Sequence, residues 1–100
     1  MQTNVTNANG RVTVKLTGRF DFNAHREFRD AIDESLKSTE KNVVIDLSTV
    51  DYLDSSALGM LLMLRDKTKN VGKTVSLAGA NGAVKQVLDI ANFSKLFPLI

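Results

Sequence analysis

The sequence predicts an α/β fold, a mixed β-sheet of four to five strands with crossover helices packed on it. Three observations predict it. Val12, Val14 and Leu16 alternate with Arg11, Thr13, Lys15 and Thr17, the period of a strand with one buried face. Apolar residues then recur at helical spacing in three later segments, near 23–38, 56–70 and 81–91. Between those segments lie two short strand-like runs, NVVIDL at 42–47 and KTVSLAG at 73–79. Strand, helix and strand in alternation argue for crossover helices on the sheet.

Taken in order, residues 3–8 and 11–17 flank Asn9-Gly10, a pair suited to the positive backbone angles of a tight hairpin. The first helix is expected from Asn23, its N-cap, to about Ser38, with Ala24, Phe28, Ala31, Ile32, Ser35 and Leu36 on one side. The β-branched run 42–47 reads as a central strand covered on both faces. A loop is expected from Ser48 to Asp54. The second helix follows from about Ser56 to Asn70, with Ala57, Leu58, Leu61, Leu64 and Thr68 facing the core and Gly72 just past its end. After the strand at 73–79, Asn81 can cap a third helix that turns Ala83, Val84, Val87, Leu88 and Ala91 inward. The final SKLFPLI reads as a short edge strand, giving the order β-β-α-β-α-β-α-β.

Composition bounds the function. With 100 residues, 43% of them hydrophobic, the chain can build one core and is too short for two, so residues 1–100 are expected to form a single domain. No apolar stretch approaches membrane-spanning length, and the opening MQTNVTNANG is not a basic segment followed by an apolar one. The expectation is a soluble, cytoplasmic protein without direct membrane insertion. Cysteine is absent, which removes disulfides and thiolate chemistry. Thirteen basic and eleven acidic residues leave a charge of +2, and the nearest thing to a basic cluster, Arg65, Lys67, Lys69 and Lys73, suits the negative end of a helix. No aromatic residue is interleaved with these charges, so no nucleic-acid partner is expected.

Chemistry concentrates at YLDSSALG, residues 52–59, where Ser55 and Ser56 stand at the start of the second helix. One reading is that a serine caps that helix, a contribution of about 1 kcal/mol. The other is that the free N–H groups and the positive end of the helix dipole favour an anion there, so that a phosphate on Ser55 is readily accommodated. A serine nucleophile would need a base, and His25, the only histidine, is expected to be an exposed residue of the first helix. DSSALG is not G-x-S-x-G, and GANGAV at 79–84 lacks phosphate-loop spacing. Asp46, Asp51 and Asp54 meet no metal-ligand spacing; Asp51 and Asp54 are expected to organise the loop by hydrogen bonds to its backbone. Neither catalysis nor a cofactor nor a metal is expected.

The stretch from VVIDLSTVDYLDSSALG through ANFSKLF, with LTGRFDFNAHREFRDAID before it, resembles the STAS domain of bacterial anti-sigma factor antagonists. The specific parts are LTGRFD and the loop YLDSSALG, and the likeness covers nearly the whole chain. It implies a STAS-like sheet and a partner switch. In the resembled family the serine after the aspartate is phosphorylated, which corresponds to Ser55. Unphosphorylated, such a protein binds an anti-sigma factor that is also a serine kinase; phosphorylated, it releases it, and a metal-dependent serine phosphatase resets it. Phosphorylation adds roughly −1.5 to −2 charge, enough to disrupt a tight interface beside Asp51 and Asp54.

The resemblance also implies that Asp21, Phe22 and Asn23 share an edge with Ser55. Met60, Leu62 and Met63 fall off the expected core stripe, and methionine adapts to partner surfaces. The expected partner surface is therefore Asp21, Phe22, Asn23, Asp54, Ser55, Ser56, Ala57, Met60, Leu62 and Met63. Two departures stand out: Ala57 occupies a position where many members have glycine, and many members continue with a further helix beyond the point where this chain reaches Ile100. A short STAS subunit of a membrane lipid-transport complex is the alternative.

Overall fold

The computed structural model describes residues 1–100. The hairpin forms as its turn chemistry requires: β1 (Gln2–Ala8) pairs antiparallel with β2 (Arg11–Phe20) across Asn9 and Gly10, whose φ angles are 57° and 78°. Two positive φ values at the central residues make the tight turn whose twist matches the flanking strands. β3 (Asn42–Leu53) pairs parallel with β2, and β4 (Thr74–Ala78) pairs parallel with β3, so the sheet order is β1-β2-β3-β4. Helices α1 (His25–Leu36) and α2 (Ser55–Asn70) are the two crossovers, and α3 (Gly82–Ile90) follows β4.

One face of the sheet makes the core. Val12, Val43 and Val75 form one row across β2, β3 and β4, and Val14, Ile45 and Leu77 form the next. All six are buried, in one cluster with Phe28 and Ile32 of α1, Leu61 and Leu64 of α2, and Val84 and Leu88 of α3. Each fully buried Val, Leu or Phe contributes about 1.5–3 kcal/mol. The buried hydroxyls within it are satisfied locally: Ser35 donates to the Ile32 carbonyl at 2.7 Å and Thr68 to that of Arg65 at 2.9 Å.

The opposite face corrects the expectation that 42–47 is covered on both sides. Its rows are Thr13, Val44 and Ser76, then Lys15, Asp46 and Ala78, and among these only Val44 is buried. The reason is topological. Consecutive parallel strands lie next to each other in chain order, and right-handed crossovers then put both connecting helices on the same side.

β3 is longer than predicted. It runs on through Ser48–Leu53, where a loop was expected, but its register against β2 slips between Lys15 and Thr17 and again between Gly18 and Arg19. Each slip gives β3 one extra residue, as a bulge does, and the apolar alternation that marks a strand is lost there. Two caps also differ. Asp21, not Asn23, opens the first helical segment, accepting the Asn23 N–H at 3.0 Å to cap a 3₁₀ turn, Phe22–Ala24, that leads into α1. Asn81 stands before α3, yet its side-chain amide donates to the carbonyls of Gly79 and Ser48 instead of capping, and Ala83 is exposed while Val84 and Leu88 face inward.

The C-terminal segment makes a 3₁₀ turn at Phe93–Lys95, with Phe93 and Phe97 stacked at 5.5 Å in the core. The predicted edge strand shrinks to one parallel bridge between Leu77 and Leu99. It is held by Leu77 N–H to Pro98, Ile100 N–H to Leu77 and Gly79 N–H to Ile100. Pro98 supplies only its carbonyl, which an edge tolerates.

Candidate functional site

The parallel pairing of β2 and β3 ends at Phe20 opposite Leu53, both buried. The next residues, Asp21 and Asp54, therefore leave the sheet side by side, and each opens a helical segment. Asp54 adopts an extended backbone and accepts the Ala57 N–H on its side-chain oxygen at 3.0 Å, while its own carbonyl accepts from Leu58 at 3.2 Å. This is the N-cap geometry of α2. The cap expected from a serine is thus made by aspartate, and the helix begins one residue earlier than predicted, at Ser55.

Freed from capping, Ser55 is an exposed first residue of α2, and Ser56 behind it is half-buried. Their amides belong to the first turn, which lacks partners within the helix, and the dipole there favours negative charge. The residues grouped from the sequence divide as follows. Phe22 is 73% exposed beside the aspartate pair, Asn23 is exposed, and Leu62 and Met63 are 38% and 43% exposed on α2. Ser55, Gly59, Leu62 and Met63 follow helical spacing and share the outer stripe.

Met60 and Ala57 do not belong to that surface. Met60 is 4% exposed and Ala57 fully buried, both inside the core cluster, whereas Leu58, expected in the core, is only partly buried at its margin. Met60 follows Ala57 by three residues and precedes Leu64 by four, so the stripe Ala57, Met60, Leu61, Leu64 and Thr68 satisfies the helical period better. A core stripe drawn through Leu58 instead of Met60 puts this methionine on the outside.

Sequence reasoning missed Arg19 and Tyr52, register partners on the same edge. The Arg19 guanidinium lies 4.0 Å from the Tyr52 ring centroid, and its Nε is 3.4 Å from the Asp21 carboxylate. Tyr52 is 40% exposed. The signal was hidden by the bulges that break the alternation of β3. Asp51 is exposed, and of the two loop aspartates it is Asp54 that holds the turn.

The remaining candidates lie elsewhere. His25 is exposed at the start of α1, and the hydrogen bonds that organise the two turns come from aspartates, not from an imidazole. No three carboxylate or imidazole groups come together as metal ligands would. The basic cluster at the end of α2 is largely engaged with the fold. Arg65 donates to the Leu96 carbonyl at 2.9 Å, Lys67 pairs with Asp33 at 3.6 Å, and Lys73 binds the carbonyls of Ser38 and Glu40. A shallow cavity of about 470 Å³ lies on the uncovered sheet face, lined by Arg11, Val44, Asp46, Ser48 and Ile100 among others, and neither Ser55 nor Ser56 lines it. No helix is long and apolar enough to cross a membrane.

Comparison with known proteins agrees with this architecture. The family described as "Mlab, STAS domain" matches residues 3–99. A STAS-domain containing protein of Pseudomonas aeruginosa (strain UCBPP-PA14) is 47% identical over 88 residues, 88% of this chain and 86% of that protein. An anti-sigma F factor antagonist of Paenibacillus polymyxa is 24% identical over 100 residues, 99% of this chain and 86% of the relative. Among solved structures, the Bacillus cell fate determinant SpoIIAA in its phosphorylated form superposes with a TM-score of 0.72 at 15% identity, covering 99% of this chain and 91% of that one. The match along nearly the whole chain, on a mixed sheet whose β3 delivers the aspartate-serine-serine turn to the start of α2, means that this chain belongs to the STAS domain family.

Proposed function

We propose that residues 1–100 act as one STAS domain, a cytoplasmic, non-enzymatic anti-sigma factor antagonist switched by phosphorylation at Ser55. The observation that carries this reading is the exposed Ser55 hydroxyl at the first position of α2, released from capping by Asp54 and flanked by exposed Phe22, Leu62 and Met63. Unphosphorylated, that face binds an anti-sigma factor that is also a serine kinase, and a metal-dependent serine phosphatase returns the modified protein to the binding form. The domain itself uses no cofactor. The name of the Paenibacillus relative supports the antagonist role, and the phosphorylated form of SpoIIAA supports modification on this fold.

Charge explains the switch. A phosphate adds roughly −1.5 to −2 charge and three strong acceptors. Beside Asp54 and Asp21 it concentrates negative charge, which repels any carboxylate or carbonyl oxygen that a partner seats against the neutral Ser55 hydroxyl, and it must be desolvated against the apolar residues of the same face. Within the domain the added anion meets a helix N-terminus, which favours it. Phosphorylation therefore changes the surface and leaves the fold intact.

A second reading, a short STAS subunit of a membrane lipid-transport complex, is favoured by the Mlab description of the matching family. Phosphate mapping separates the two. The protein is incubated with ATP and each purified serine-kinase anti-sigma factor of the source cell, and the products are mapped by mass spectrometry. Phosphate on Ser55 is expected; phosphate confined to Ser56, or none, contradicts the antagonist reading. Stable co-purification with a transport ATPase that survives Ser55→Asp supports the second.

A further inference from the structure

We propose that β1 is a self-complementary edge through which two copies of this chain pair, joining their sheets into one. The surface is separate from the Ser55 face, because β2 stands between β1 and the strand that leads to Ser55. The opposite edge of the sheet is already closed, since the segment Pro98 to Ile100 hydrogen-bonds along β4. β1 has no such cover. It pairs with β2 alone, and no backbone hydrogen bond outside the sheet ladder engages residues 2–8.

An open row of N–H and C=O groups invites another strand, and proteins blunt it with a charge, a proline, a bulge or a very short strand. β1 carries none of these. QTNVTNA is seven residues long, uncharged and without proline, and its register runs unbroken from Gln2 opposite Thr17 to Ala8 opposite Arg11. Every residue of it but Val5 is exposed.

The tight turn decides which groups are free. Ala8 and Arg11 bracket Asn9-Gly10 and so form a hydrogen-bonded pair, and such pairs alternate along an antiparallel ladder. Thr6, Asn4 and Gln2 therefore also turn their N–H and C=O groups to β2, while Thr3, Val5 and Asn7 turn theirs outward. These three are placed symmetrically about Val5, the middle residue of the strand.

The side chains identify the occupant as a second copy. An antiparallel copy centred on Val5 sets Thr3 opposite Asn7, Val5 opposite Val5 and Asn7 opposite Thr3, each pair exchanging two backbone hydrogen bonds. Between them, Asn4 meets Thr6 of the second copy. Each threonine thus faces an asparagine, whose carboxamide can accept from and donate to the hydroxyl, and apolar Val5 faces itself across the axis. With no charged side chain in β1, the pairing sets no like charges opposite each other in the ladder.

The test is sedimentation of the protein over a concentration series, roughly micromolar to millimolar, for wild type, Thr3→Pro, Asn4→Glu/Thr6→Lys and Asn4→Glu/Thr6→Glu. A single strand pair is a small interface, so wild type is expected to dimerise reversibly with a Kd on the order of 100 μM. Thr3→Pro removes an outward N–H and no bond to β2, and should weaken the dimer about tenfold or more. The two double variants share one change and differ only in the sign of the charge set opposite it. Asn4→Glu/Thr6→Lys should dimerise at least about fivefold more tightly than Asn4→Glu/Thr6→Glu. Both positions are exposed, so this comparison decides the matter even where Thr3→Pro fails to fold. A wild type that stays monomeric through the series overturns the proposal. So does a dimer whose Kd is the same in both double variants, which would place its interface elsewhere.

Discussion

Phe20 and Leu53 are register partners at the end of the parallel β2–β3 pair, so Asp21 and Asp54 emerge next to each other and each caps the helical segment that follows. Two buried apolar side chains fix where the strands stop. Two short carboxylates then satisfy the first free amides beyond them, Asn23 N–H and Ala57 N–H, each at 3.0 Å. The pairing fixes the position of Ser55 and leaves its hydroxyl uncommitted to the fold.

The cap is therefore separable from the switch. Asp54→Ala should lower stability by about 1 kcal/mol, within the usual range for a lost N-cap. For a domain of this size that corresponds to a fall of about 4–8 °C in melting temperature. Asp54→Asn should recover most of it, since asparagine caps comparably. Calorimetric unfolding of both variants checks this.

The two methionines of α2 should behave differently. Met60 is buried in the core cluster, so Met60→Ala should cost about 2–5 kcal/mol through lost burial and the cavity left behind. Leu62→Ala and Met63→Ala, on the exposed stripe, should change stability by less than about 0.5 kcal/mol. Denaturant titration gives the stabilities, and a binding isotherm with the anti-sigma factor should show the reverse order of effect for the exposed pair.

Gly79 offers a test of the bulged segment. Its φ is +72°, and an added Cβ would meet the Ser48 Cβ at 2.8 Å and the Asp46 carboxylate at 3.2 Å. That carboxylate is held in place by accepting the Ser48 N–H at 2.9 Å. Gly79→Ala should cost more than the roughly 1–2 kcal/mol of left-handed strain alone, because relief would require moving backbone. A melting temperature unchanged from wild type would contradict the packing described around β3 and β4.

Much of this was legible in the chain because period and local chemistry agreed. Asn9-Gly10 with alternating Val12, Val14 and Leu16 dictated the hairpin, and Phe28, Ala31 and Ile32 dictated the buried face of α1. The readings that changed are those where tertiary pairing decides. The bulges of β3 exist only against β2, so Ser48–Leu53 read as a loop and Tyr52 was overlooked. Met60 and Leu58 both satisfy part of a helical stripe, and only packing against the sheet selects between them. Asp54 and the serines are all good caps. Which one acts depends on where Leu53 ends the strand. The serine turn itself was visible because its residue types and its place before a helix were unusual together; that Asp21–Asn23 lie beside it followed from resemblance and is now accounted for by strand register.

The central claim is that Ser55 controls binding through charge and not through folding. The most direct measurement is titration calorimetry of the anti-sigma factor with wild type, Ser55→Ala and Ser55→Asp, with thermal unfolding of each. Ser55→Ala should bind like wild type and accept no phosphate, and Ser55→Asp should lose binding while keeping its fold, since a carboxylate at the start of α2 is favourable by roughly 0.3–1 kcal/mol. An aspartate variant that binds as tightly as wild type, or an alanine variant still phosphorylated by the kinase, would contradict the account.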